Sequence, residues 1–138
     1  LPAIFIPAGI TMPIPLRHFS ATEFRCKCGC GAGIEQMHPD LLMMLDELRD
    51  RAGIPLVLSS AYRCDAHNRK VGGVNASAHT RGYAVDIKCL NSHTRFQILQ
   101  AALEAGFRRI ELAPTWIHVD PDPDKPFDVA FYQSGGNY

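Results

Sequence analysis

The sequence has no surplus of charge: 14 Lys and Arg offset 14 Asp and Glu, and no run of like charges interrupts the chain. That balance removes the usual electrostatic footprint of a nucleic-acid binder, or of a protein drawn to an acidic membrane face. Unbroken apolar runs of about 18 residues, the length that crosses a bilayer as a helix, are also missing. The most apolar stretch, LPAIFIPAGITMPIPL, is interrupted by Pro2, Pro7, Pro13 and Pro15 and lacks the basic opening of a signal peptide. Residues 1–17 are therefore expected to be an extended arm, a linker or a remnant of a longer chain, ahead of one domain at 18–138. A disulfide framework is poorly provided for, since there are 5 cysteines, and Cys26, Cys28 and Cys30 stand too close along the chain to bridge one another easily. Their one-residue spacing departs from that of a zinc knuckle. The expectation is a turn of mostly free, part-buried thiols, with one pair closing to Cys64 or Cys89 as the alternative. Compartment stays open.

What is present fits one globular domain: 46% of the 138 residues are apolar and 20% charged, enough to bury a core and too few for two comfortable ones. A monomer is expected. Ser20-Ala21-Thr22-Glu23 is a capping box that starts a short helix carrying Phe24 inward, stopped by the glycine-rich turn at 29–33. Pro39 suits a first helical position, Leu41, Leu42, Leu45 and Leu48 recur at helical spacing, and Gly53 sits where a helix ends. Residues 54–60 read as a short buried strand. Residues 65–78, polar and glycine-bearing, read as a loop long enough to suggest function. A strand around Tyr83 to Cys89 follows, then a helix capped by Ser92 and ending at Gly106. Phe107 to Leu112 and Trp116 to Asp120 read as a hairpin, and the tail beyond Pro121 as an irregular wrap with a frayed end. Helices with a small mixed or antiparallel sheet make the fold class α+β.

Three side chains stand out as metal ligands: His79, Asp86 and His118. Asp86 lies on a mainly apolar strand, where a carboxylate is costly to bury unless something pairs with it. In WIHVD, side-chain alternation puts Trp116, His118 and Asp120 on one strand face and Ile117 and Val119 on the other. Two histidines and one carboxylate, with a fourth position left to water, make a catalytic zinc set, whereas a structural site more often closes with four protein ligands.

SSAYR at 59–63, HN at 67–68, VGG at 71–73, SAHTRGYAVD at 77–86 and WIHVD at 116–120 together resemble the zinc D-Ala-D-Ala carboxypeptidases and murein peptidases of peptidase family M15. The pattern S-x-H-x-x-G-x-A-x-D is met in full by Ser77, His79, Gly82, Ala84 and Asp86. HFSATEFRCKCGCG resembles the opening of a subgroup found in phage lysis enzymes and bacterial cell-wall proteins, which makes CKCGC a trait of a non-catalytic region. The resemblance runs from about His18 to Asp120. It implies a fold like that of D-Ala-D-Ala peptidases and hedgehog domains, one catalytic zinc on His79, Asp86 and His118, and a peptidoglycan stem peptide as substrate, cut at D-alanine-type bonds. It also implies that Arg63 binds the substrate carboxylate or carbonyl, a task its forked guanidinium suits.

The mechanism calls for a carboxylate that moves the water proton to the leaving amine. Many relatives place it three residues before the last ligand histidine, where this chain has Thr115. Asp120, sharing a strand face with His118, is the favoured replacement, and Glu111 the second, needing the Pro114 turn to swing it inward. Asp120 has an alternative role in holding a ligand histidine. Ser77 and Tyr62 are expected to line the substrate site and Trp116 to give it an apolar wall, each with a plain packing alternative. The acid missing at 115 keeps open a non-catalytic, zinc-containing wall-binding module. An adaptor built on CKCGC requires the two histidines and Asp86 to be incidental.

Overall fold

A computed structural model describes residues 16–132, and its longest element, α1 (Pro39–Ala52), follows directly from the sequence pattern. Pro39 opens it, the His38 ring accepts the Asp40 N–H at 3.2 Å, and Gly53 closes it in the left-handed conformation with its N–H on the Arg49 carbonyl. Leu41, Leu42, Leu45 and Leu48 are buried on one side, each contributing about 1.5–3 kcal/mol by leaving water. Before it, the Ser20 box forms as read, with the Ser20 N–H donated to Glu23 at 2.7 Å, and opens a short 3-10 turn at Ala21–Phe24 that buries Phe24.

Five strands follow among the described residues: β1 (Leu58–Ser60), β2 (Val85–Lys88), β3 (Arg109–Leu112), β4 (Trp116–Val119) and β5 (Val129–Tyr132). They form one sheet in the order β1-β2-β4-β3-β5. All neighbours are antiparallel except β3 and β5, which run parallel. The second long helix, α3 (Ser92–Glu104), crosses from β2 to β3 and packs on α1 and on β4. Val85, Ile87, Ile110, Ile117 and Val119 meet the α1 leucines, Ile98, Ala101 and Ala102 in one apolar core. The fold is α+β, as expected, and the 107–120 hairpin is present as β3 and β4, closed by the Ala113 N–H on the Trp116 carbonyl.

Four expectations need correction. Residues 65–78 are not all loop, because Asp65–Lys70 form a short helix, α2, with Cys64 at its N-cap; six residues, five of them polar, are too few to show a helical period. The tail beyond Pro121 is not merely an irregular wrap, since β5 adds a parallel edge strand to β3. Asn91, not Ser92, caps α3, its Oδ1 accepting the Thr94 N–H at 2.9 Å. Only Leu58–Ser60 of the segment 54–60 pairs as a strand, with an irregularity between Leu58 and Ser60. Residues 1–15 of the expected arm and the expected frayed end at 133–138 lie outside the described residues. Among the described residues no helix is long and apolar enough to cross a membrane.

Candidate metal centre

Opposite the core, the sheet carries a polar row fixed by strand register. Ser60 pairs with Asp86, Asp86 with His118, His118 with Glu111, and Glu111 with Phe131. Directly opposed residues on antiparallel strands hold their Cβ atoms about 4.5–5.5 Å apart, so Ser60, Asp86, His118 and Glu111 stand side by side, with the aromatic Phe131 next in line on parallel β5. The alternation read from WIHVD places His118 here and sends Ile117 and Val119 into the core.

His79 reaches the row from a tight loop. Thr80 bonds back to the Ser77 carbonyl through both its N–H (3.0 Å) and its Oγ1 (2.7 Å), and the Tyr83 N–H bonds the Ala78 carbonyl. Gly82 makes the bend possible: its φ is +76°, and a Cβ there would collide with the Gln36 carbonyl oxygen. The Gly82 carbonyl in turn accepts the His38 N–H at 2.8 Å, tying the loop to the start of α1.

The three candidate ligands converge. Asp86 Oδ1 faces two ring nitrogens at once, His79 Nε2 at 3.2 Å and His118 Nδ1 at 2.9 Å. Each ring is anchored through its other nitrogen: His79 Nδ1 donates to the Ala61 carbonyl at 2.7 Å, and His118 Nε2 to Asp120 Oδ2 at 2.5 Å. With those protons so placed, both nitrogens turned toward Asp86 carry lone pairs against a carboxylate oxygen. Acceptor faces acceptor unless a proton or a cation lies among them. Donors about 2.0 Å from a common tetrahedral ion lie about 3.3 Å apart, close to the spacings seen, and one ligand atom from each residue falls within 4.8 Å of the others. The donor set thus has the chemistry and spacing to hold a divalent cation such as zinc.

The electrostatics show the same tension. Burial pushes the Asp86 carboxyl up, but His79 and His118 outweigh it and hold Asp86 well below the usual carboxylate range. Burial dominates at His79 and lowers its pKa despite the nearby carboxylate. At His118, burial is overcome by bonds to Asp120 and Asp86, which push the ring up to about 9. With carboxylates on both of its ring nitrogens, His118 thus favours its protonated form.

Arg63 borders this group from the end of β1. Its Nε donates to Ser60 Oγ (3.1 Å), one terminal nitrogen to Asn68 Oδ1 (3.0 Å), and the other lies 3.5 Å from Asp86 Oδ2. Arg63, Ser77, Trp116, Glu111, Asp120 and Phe131 all line a cleft of about 580 Å³ over Asp86 and His118. Tyr62 is half-buried against the core and is not among the cleft-lining residues. Asp120 is 1% exposed, bonded to His118, and paired with Arg109 at 3.2 Å. Glu111 is half-buried, and burial raises its pKa. Its carboxylate has no hydrogen bond or ion pair among the described residues.

Residues with no clear sequence signal complete the site. Asn68 is buried and bridges Arg63 to the Val74 carbonyl. Arg109 pairs with Asp120 and stacks its guanidinium over Phe131 at 4.8 Å. Only strand register brings Phe131 here; asparagine within the quoted HN pair was the sole hint of Asn68.

Comparison with known proteins gives three findings. A family model described as Peptidase M15 matches residues 17–120. Comparison with curated proteins gives no match. Among solved structures, the chain is similar to the L-Ala D-Glu endopeptidase ChiX of Serratia marcescens, with 21% identity and a TM-score of 0.49, over 62% of this chain and 80% of that one.

Proposed function

Because the chain belongs to the peptidase M15 family, whose model spans residues 17–120, we propose that it is a zinc-dependent peptidase acting on peptidoglycan stem peptides at D-alanine-type bonds, as carboxypeptidase or endopeptidase. The observation that carries the metal assignment is the shared Asp86 oxygen, faced by two ring nitrogens whose opposite sides are already anchored.

In this reading His79 binds through Nε2, His118 through Nδ1 and Asp86 through a carboxylate oxygen. Zinc held there supplies a Lewis acid that polarises a carbonyl and acidifies water. Glu111 acts as the general base. It stands beside His118 in the strand row, on the side away from Asp86, and lines the cleft. From there it takes the water proton and returns it to the leaving amine. This reverses the order favoured from sequence. Strand parity does put Asp120 beside His118, but its bond to Nε2 gives it the work of fixing which His118 nitrogen faces the metal. Arg63, braced by Ser60 and Asn68, holds the substrate carboxylate or carbonyl and stabilises negative charge as the peptide bond is attacked. Trp116 and Phe131 give the cleft its apolar walls.

Digestion of purified murein, followed by mass analysis of the products, tests the proposal. Zinc-loaded protein should release D-alanine or split cross-linked stems, and chelation should stop it. Unchanged muropeptides with zinc bound would replace the enzyme with a wall-binding module.

A further inference from the structure

The CKCGC loop and the N-cap of α2 meet in space. The Sγ atoms of Cys26 and Cys28 lie 3.4 Å apart, Cys28 and Cys64 3.6 Å, and Cys26 and Cys64 3.8 Å. With Cys30 included, all four sulfurs fall within 4.8 Å of one another. A disulfide joins two sulfurs at about 2.05 Å, and none of the four is so joined. Four sulfurs about 2.3 Å from a central zinc sit about 3.8 Å apart, and the spacings among Cys26, Cys28 and Cys64, 3.4 to 3.8 Å, reach up to that value.

The backbone is shaped for this convergence. Cysteines two residues apart on an extended chain would sit about 6.6 Å apart. Here Gly29 (φ +82°) and Gly31 (φ +88°) curl the chain between and after them, and the Cys26 N–H bonds the Ala32 carbonyl at 2.9 Å to close the loop. Backbone donors point at sulfur as they do toward thiolates: the Cys64 N–H to Cys26 Sγ and the His67 N–H to Cys64 Sγ, each at 3.4 Å.

We propose that Cys26, Cys28, Cys30 and Cys64 hold a second zinc ion, structural rather than catalytic, replacing the free thiols expected from their spacing. Four protein ligands close such a site and leave no place for substrate. Its task follows from Cys64, which begins α2 directly after Arg63. The ion ties the N-terminal loop to the segment that presents Arg63 and Asn68 to the cleft.

Metal analysis and zinc X-ray absorption on the full chain, purified under reducing conditions, test this. Wild-type protein should carry two zinc ions per chain, and the His79→Ala/His118→Ala double variant one, surrounded by four sulfurs at about 2.3 Å. Cys28→Ser/Cys30→Ser should lose that ion and keep the other. If the cysteine variant fails to fold, mercurial titration of the double variant should still release its zinc to a chromogenic chelator in step with thiol modification. A double variant free of zinc, a zinc shell without sulfur, or a disulfide among these cysteines by mass spectrometry would overturn the proposal. The two metal assignments fail separately. One zinc bound only by nitrogen and oxygen in the wild type leaves the peptidase reading standing, whereas one bound only by sulfur removes the catalytic ion and upholds this one.

Discussion

The two faces of the sheet are made by alternate residues of the same short strands, yet they obey opposite rules. On the core side, Val85, Ile87, Ile110, Ile117 and Val119 bury almost completely among helix leucines, a non-directional arrangement that tolerates repacking if volume is kept. On the other side, His79, Asp86 and Asp120 are equally buried, at 2%, 7% and 1% exposure. There, each atom must meet a partner, because a buried charge left alone costs several kcal/mol. The first face buries the apolar surface that stabilises the fold and the second carries the candidate site, so substitutions on the two should fail in different ways.

Glu111→Gln should separate them most sharply. We expect kcat to fall by about 10²–10⁴-fold while zinc content and unfolding midpoint hold, read by murein turnover beside denaturant titration. Retained turnover would return the base to Asp120. Ile117→Ala, one residue before the proposed ligand His118 but on the core side, should cost about 2–5 kcal/mol of stability and leave kcat per folded molecule unchanged. A loss of kcat at full folding would show that the faces are not independent. Asp120→Asn should weaken zinc binding by about 10–100-fold, measured by chelator competition, with turnover largely restored at saturating zinc. If the metal is instead held firmly while turnover disappears, Asp120 moves the proton.

The last contrast is a pH dependence. In metal-free protein, His118 is raised from 6.5 to about 9, so its contribution to stability is complete below pH 6.5 and is lost as pH rises through about 9. His79 is lowered and works in the opposite sense, costing stability as pH falls below 6.5. Metal-free protein should therefore lose stability between pH 6.5 and 9. Zinc-loaded protein, in which the ion displaces the His118 proton, should not. Parallel denaturation curves for the two forms across that window would contradict the shared-oxygen geometry.

Much of the candidate site was legible because strand parity is local. WIHVD announces which side chains share a face with no knowledge of neighbours, and Pro39 with four spaced leucines announces α1. What escaped depends on pairing across the chain. That Glu111 stands beside His118 is set by hairpin register, which the turn at 113–115 decides and its composition does not. β5 was hidden because VAFY is short and sits among prolines and aspartates, so only its partner β3 reveals it. Asn91 was passed over for Ser92, since either residue type caps a helix and only geometry chooses. Cys64 and Cys89 were both open as partners of the CKCGC cysteines, and only the fold shows that Cys64 is the one that meets all three, since chain spacing cannot choose between distant residues.

The contact between Gly82 and the Gln36 carbonyl has one last implication. It leaves the step from His79 to Asp86 no slack: the bend is pressed against the approach to α1, and the strand that follows is already in register with β4. Only a slip of β2 by one residue against β4 would turn Asp86 into the leucines and bring Val85 or Ile87 out to the histidines. The seven-residue interval is thus dictated less by the diameter of any ion than by the pleat on one side and an unyielding neighbour on the other.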